Sequence, residues 1–189
     1  MLRNVKRMTL LLAAIAFTAL PAFADTVTFT TNTTGGPTFN RPIQGTPPTV
    51  LSAVGTAVPY VVTPLTVSLS GAYTFQSTAT TTGYDNFTIL YSNNFNPASP
   101  LVNAIIANDD NPSLVLSGFT TNLTAGVNYF YVVTGFNNLD FGLATNVITG
   151  PGIITVGGGG TAVPEPATMI LLGTGLAGVV AKVRRRRKQ

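Results

Sequence analysis

The stretch that decides the fold is Val127-Asn128-Tyr129-Phe130-Tyr131-Val132-Val133-Thr134-Gly135-Phe136. It is apolar on both faces, the pattern of a strand buried in the middle of a two-layer core. Leu123-Thr124-Ala125-Gly126 before it reads as a turn, with Gly126 supplying a positive φ. Working outward, Thr26-Val27-Thr28-Phe29-Thr30 alternates with a period of two, and Leu65-Thr66-Val67-Ser68-Leu69 repeats the pattern. Tyr73 and Phe75 alternate with Thr74 and Gln76, while Phe87, Ile89 and Tyr91 form a further stripe. Such alternation marks half-buried strands. The spacing predicts strands near 26–31, 57–62, 65–70, 72–78, 86–92, 101–107, 113–119, 127–136 and 143–156, separated by Gly, Pro, Asn and Asp. No stretch reads as an amphipathic helix. The expected class is all-β, an antiparallel, jelly-roll-like β-sandwich over 25–156. The Gly- and Pro-rich segment Thr34 to Pro48 is expected as a long loop or an ordered extension along a sheet edge.

The net charge of +4 over 189 residues misleads, because nine of the ten cations lie at the two ends. Between Asp25 and Val163 only Arg41 stands against Asp25, Asp85, Asp109, Asp110 and Asp140, a net charge of −4. No basic patch is left to neutralise phosphates, so nucleic acid is not an expected partner. With no Cys there are no disulfides and no thiolate ligands, and with no His the usual general base and commonest metal ligand are missing. An enzyme is not expected.

The N-terminus has the three parts of a secretory signal over 1–24: basic Arg3, Lys6 and Arg7, an apolar run from Met8 to about Leu20, and the small-residue site Ala22-Phe23-Ala24. Signal peptidase is expected to cut before Asp25. At the other end a Gly-rich linker, 157–162, precedes Val163-Pro164-Glu165-Pro166. Prolines on both sides of Glu165 fix φ and remove two backbone donors, which keeps the tripeptide extended and exposed. A transmembrane helix is expected over 167–183, followed by the basic cluster Lys182, Arg184, Arg185, Arg186, Arg187 and Lys188. The fifteen residues from Ala167 to Ala181 make a rod of roughly 22 Å against a hydrocarbon core of about 30 Å. The span is short, and the cationic end stays cytoplasmic, which leaves Glu165 just outside the membrane.

These last residues, 163–189, resemble the PEP-CTERM sorting signal, with its Val-Pro-Glu-Pro motif, Gly-containing apolar run and terminal Arg cluster. The same short region also carries the label of an ice-binding protein C-terminal domain. The resemblance implies that an exosortase recognises Val163, Pro164, Glu165 and Pro166. It implies a protein first anchored in the inner membrane and then delivered to the outer surface or to an extracellular matrix of biofilm and exopolysaccharide. From Gly71 to Gly152, the order Gly-Ala-Tyr-Thr-Phe, Tyr84-Asp85-Asn86-Phe87, Asn108-Asp109-Asp110 and Leu123 to Tyr129 resembles the bacterial pre-peptidase C-terminal domain. That resemblance implies a non-catalytic accessory or adhesive β-sandwich.

Asp109 and Asp110, with Asp85 on a neighbouring loop, offer hard oxygen ligands for Ca²⁺, although their spacing is not that of an EF-hand and Asx turns explain the same composition. As a glycosidase pair Asp109 and Asp110 fail, because adjacent residues on an extended chain point apart. Tyr60, Tyr84, Tyr91, Tyr129 and Tyr131 offer rings for polysaccharide, or serve as core and rim residues. Outward threonines such as Thr26, Thr28 and Thr30 suit an ice-binding face, but a regular array calls for a coil repeat and none is visible. Asn32, Asn86 and Asn122 open sequons.

Overall fold

A computed structural model describes residues 24–113, 115–157 and 161–162. Eleven strands and no helix make up this part, so the all-β expectation holds. In chain order they are β1 (Asp25–Asn32), β2 (Thr38–Phe39), β3 (Val58–Val67), β4 (Gly71–Ala79), β5 (Asn86–Ser92), β6 (Ala104–Asn108), β7 (Leu116–Leu123), β8 (Tyr129–Gly135), β9 (Leu143–Gly150), β10 (Ile154–Val156) and β11 (Thr161–Ala162). They form two antiparallel sheets, one ordered β11-β1-β9-β4-β7 and the other β10-β3-β8-β5-β6, with β2 beside β3.

The inner faces meet in one core. Val27, Phe29, Tyr73, Phe75, Phe119, Leu123 and Ile148 come from the first sheet, and Leu65, Val67, Leu90, Tyr129, Tyr131, Val133 and Ile154 from the second. Tyr131 lies under Phe75, Phe119 and Phe29, with ring centroids 5.3, 6.4 and 6.3 Å away. Each large side chain buried in this way contributes about 1.5–3 kcal/mol. The alternation in β1 and β4 points one set of residues into this core and the threonines outward.

The second sheet is covered on its outer face too. Phe87, Ile89, Tyr91, Ala107 and Val132 form a second cluster there, closed by Phe39, Val58 and the half-buried Tyr60 and Phe95. This is why Val132 and its neighbours are apolar on both sides. The cover is the segment predicted to lie along a sheet edge. It is pinned at β3 by the pairing of β2 and at the outer edge by a bridge between Gly45 and Ala107 in β6, so it crosses β8 and β5 as a strap.

Several strand boundaries differ from expectation. The stretch predicted as one strand over 143–156 is two, β9 and β10, which the bend at Pro151 and Gly152 sends into different sheets. The segments near 57–62 and 65–70 are one strand, β3, that runs through Pro64. The Pro64 carbonyl accepts from Gly157 N at 2.7 Å just past the end of β10, so the missing proline N–H lies on that outer side and the pairing of β3 with β8 is left intact. The strand predicted at 113–119 begins at Leu116, because Asn111 N donates to Leu116 O and Leu116 N to Ser113 O in a turn that holds the chain back. The strand expected from 101 starts at Ala104, after Asn103 turns the chain with φ 64°. The turn expected at Gly126 is present, with φ 78°. Thr161 and Ala162, inside the stretch read as linker, pair with Thr28 and Val27 of β1.

Candidate functional site

Asp85 immediately precedes β5, and Asp109 and Asp110 immediately follow β6. The antiparallel register, Thr88 opposite Asn108, brings the start of one strand to the end of the other. The result is a cluster in which one carboxylate oxygen from each of Asp85, Asp109 and Asp110 lies within 4.8 Å of the others. Asp109 and Asp110 therefore do not point apart. The chain leaves β6 at Asn108 and turns, so the extended-chain geometry no longer applies.

The cluster is electrostatically uncomfortable. Asp85 Oδ1 and Asp109 Oδ1 are both shielded from solvent and accept no hydrogen bond. Burial, then repulsion from Asp109, Asp140 and Asp110, pushes the Asp85 carboxyl up to about 6. Burial and the neighbouring Asp110 do the same to Asp109, also to about 6. Arg41 opposes both shifts, but it does not bond to either carboxylate. Its Nε and Nη2 donate to Phe136 O at 2.9 and 2.7 Å, its Nη1 donates to Pro42 O at 2.9 Å, and its plane stacks on Phe87 and Phe136. Three convergent carboxylate oxygens, from residues of which two carry an oxygen without a donor, are ligands of the kind a hard divalent cation such as Ca²⁺ takes. The three residues fit that ion. Asp140 and Arg41 belong to the same electrostatic neighbourhood, and nothing in their sequence spacing signalled it.

The other sequence candidates are placed differently. Tyr84, Tyr91, Tyr129 and Tyr131 are buried, and Tyr60 is packed edge-on against Phe39 and Phe95, so the tyrosines belong to the core and its rim. The outward face of the first sheet carries a regular threonine array without any coil repeat. Thr26, Thr149, Thr74 and Thr120 stand opposite one another across four strands, and Thr30, Thr145 and Thr78 repeat the row. Hydroxyl contacts of 3.2 Å between Thr26 and Thr149 and 2.9 Å between Thr74 and Thr120 give this array a role in cross-strand pairing. Asn86 is fully buried, with Nδ2 donating to Ser77 Oγ at 2.8 Å, so its sequon is closed in the folded protein, whereas Asn32 and Asn122 are exposed.

Asp25 opens β1 and Ala24 immediately precedes it, while Ala22 of the cleavage site, the helix expected over 167–183, the motif Val163 to Pro166 and the basic cluster from Lys182 all lie outside the described residues. Among the described residues no helix is long and apolar enough to cross a membrane. Comparison with protein families settles what the tail is. Residues 162–187 match the PEP-CTERM protein-sorting motif. The PEP-CTERM tail carries Val163, Pro164, Glu165 and Pro166 within the matched residues, and it implies export, membrane anchoring and processing by an exosortase. No curated protein matches the chain. Among solved structures, the pre-peptidase C-terminal domain of a collagenase from Bacillus anthracis overlaps 62% of this chain and 90% of its own, at 16% identity and a TM-score of 0.35. A CBM35 module from Cellvibrio japonicus overlaps 69% and 98%, at 11% identity and a TM-score of 0.35. The K1 cleaved adhesin domain of Lys-gingipain from Porphyromonas gingivalis overlaps 69% and 91%, at 20% identity and a TM-score of 0.35.

Proposed function

We propose that this chain is an exported bacterial surface or extracellular-matrix protein, delivered by exosortase processing of its tail, whose β-sandwich is a non-catalytic structural or adhesive body in biofilm or exopolysaccharide. The observation that carries the reading is the sorting-motif match over 162–187, in which Pro164-Glu165-Pro166 follows a glycine-rich stretch. The secretory signal at 1–24 and signal peptidase cleavage before Asp25 complete the route. Replacing Glu165 with Ala leaves the sandwich folded and blocks tail removal. Intact mass of the protein recovered from an exosortase-bearing host reads both cleavages at once. Unchanged trimming of the E165A chain sinks the reading.

A second reading, a calcium-dependent carbohydrate-binding module, is favoured by the two donorless oxygens of Asp85 and Asp109. On this reading millimolar CaCl₂ at pH 7 raises the melting temperature, Asp109→Asn abolishes the rise, and glycan-array binding disappears with chelator. A melting curve indifferent to Ca²⁺ dismisses it.

A further inference from the structure

The strand register fixes which end of the sandwich faces the membrane. β1 begins at Asp25, the residue to which the N-terminal leader is joined, and Asp25 stands opposite Gly150 at the end of β9. β11 runs antiparallel to β1, with Thr161 opposite Thr28 and Ala162 opposite Val27, so β11 points toward the same end. The first strand therefore starts at this pole, and the last described strand runs toward it.

That pole is built differently from the other. Three of its loops are tied together. Ile153 N donates to Ser68 Oγ at 2.8 Å, Ser68 N donates to Ile153 O at 3.0 Å, and Ala125 N donates to Ser70 Oγ at 2.9 Å. The β5–β6 loop joins them through Asn93 N donating to Asn128 O at 2.7 Å. From this platform Leu69 and Ile153 project into solvent, 55% and 67% exposed, and Val102 stands on the β5–β6 loop at 57%; the far pole also exposes Leu139 and Phe141, but there they flank Asp140 beside the acidic cluster, so the poles differ in charge. The platform's only charged side chain among the described residues is Asp25, which is occupied in accepting from Ile154 N at 2.8 Å. Asp85, Asp109 and Asp110 lie at the far pole, where Asn86 stands opposite Gly135, and Asp140 caps the loop there by accepting from Asn137 N.

We infer that, in the anchored precursor, the body docks end-on against the lipid–water interface through Leu69, Ile153 and Val102, with the acidic pole turned outward. The inference rests on the tail-anchored reading above and adds to it an orientation and a contact surface. An eight-residue strand at about 3.3 Å per residue holds the carboxylates roughly 25 Å from the surface, beyond a Debye length of about 8 Å, so anionic headgroups do not repel them. Two or three apolar side chains would not hold a free protein on a bilayer. On a short tether the contact is intramolecular, and a weak surface suffices.

The chain has no cysteine, so single cysteines can be placed at will. The full chain is reconstituted with its tail in phosphatidylethanolamine–phosphatidylglycerol vesicles, and trypsin protection of the terminal arginines reports insertion. A fluorophore at T124C, an exposed position at the same pole, is expected to lose about half its emission or more to brominated lipid, as a group at interfacial depth does, while one at D110C loses none. The double substitution Leu69→Ser and Ile153→Ser abolishes the difference. Equal quenching at the two positions with a protected tail overturns the docking and leaves the sorting reading intact. Shielding of position 124 that vanishes on dilution of protein in lipid assigns the surface to a second copy of the chain and also overturns it. Arginines open to trypsin on the body's side of the bilayer overturn both.

Discussion

The guanidinium carbon of Arg41 lies 4.0 Å from the centroid of the Phe87 ring, and the same group donates twice to the carbonyl of Phe136. The body's one cation thus fastens the strap to the outer face of the second sheet and to the loop beside the acidic cluster. Arg41→Ala removes three charge-assisted hydrogen bonds and the stack, and leaves two carbonyls without donors. The expected loss is about 3 kcal/mol in urea denaturation. Arg41→Lys keeps the charge but not the planar fork, and recovers less than half of that loss.

The acidic cluster makes the protein more stable in mild acid than at neutrality. Asp85 and Asp109 titrate near 6 in the folded chain and near the ordinary 3.8 when unfolded, so between these values the folded state holds more protons. Stability therefore falls as pH rises through this window, and the penalty is fully present above about 6. Both groups are partly open to solvent, and screening limits the effect to about 1 kcal/mol, a few degrees in melting temperature between pH 4.5 and 7.5. Asp85→Asn flattens the profile and raises the midpoint at pH 7.5. A melting temperature that climbs steadily from pH 4.5 to 7.5 contradicts the assignment.

The alternation of Val27 and Phe29, or of Tyr73 and Phe75, made the sandwich legible because side-chain direction in a strand follows from sequence parity alone. The two-sided burial of Tyr129 to Gly135, within the stretch expected over 127–136, was legible from the same parity. What covers its outer face was not, because Phe39 and Arg41 reach that face through a strap whose path depends on pairings about 20 and 60 residues away. Asp85, Asp109 and Asp110 were named from composition. Their convergence, and the part played by Asp140 and Arg41, depends on the β5–β6 register and on a turn after Asn108, neither of which a period reveals. The array of Thr26, Thr149, Thr74 and Thr120 was missed because it runs across strands instead of along the chain.

Gly150 is required by its neighbour. A Cβ there would overlap the ring of Tyr73, which is fully buried and donates from its hydroxyl to Leu69 O at 2.8 Å. Gly150→Ala forces the ring off its site and is expected to cost about 3 kcal/mol. Gly83→Ala, at a turn where a Cβ meets nothing but φ is 79°, costs about 1 kcal/mol through backbone strain alone. Comparing the two by thermal unfolding separates packing from conformation.

Phe39 is the apolar anchor of the strap. It is buried, stands opposite Val58, and packs its ring edge-on against Tyr60 and Phe95 at 5.0 and 5.6 Å. The inner core is built from other residues, so the two clusters are separable. Phe39→Ala leaves a cavity that the short β2 pairing does not close, and is expected to cost about 3 kcal/mol. The loss is local, because the sheets keep their shared core while the segment 40–57 loses its anchor. Thermolysin is therefore expected to cut the variant first between Pro42 and Val54, where Ile43, Val50, Leu51 and Val54 are exposed, while backbone amides of β4 and β9 keep their protection from hydrogen exchange. Uniform loss of protection across both sheets would mean instead that strap and sandwich unfold as one unit.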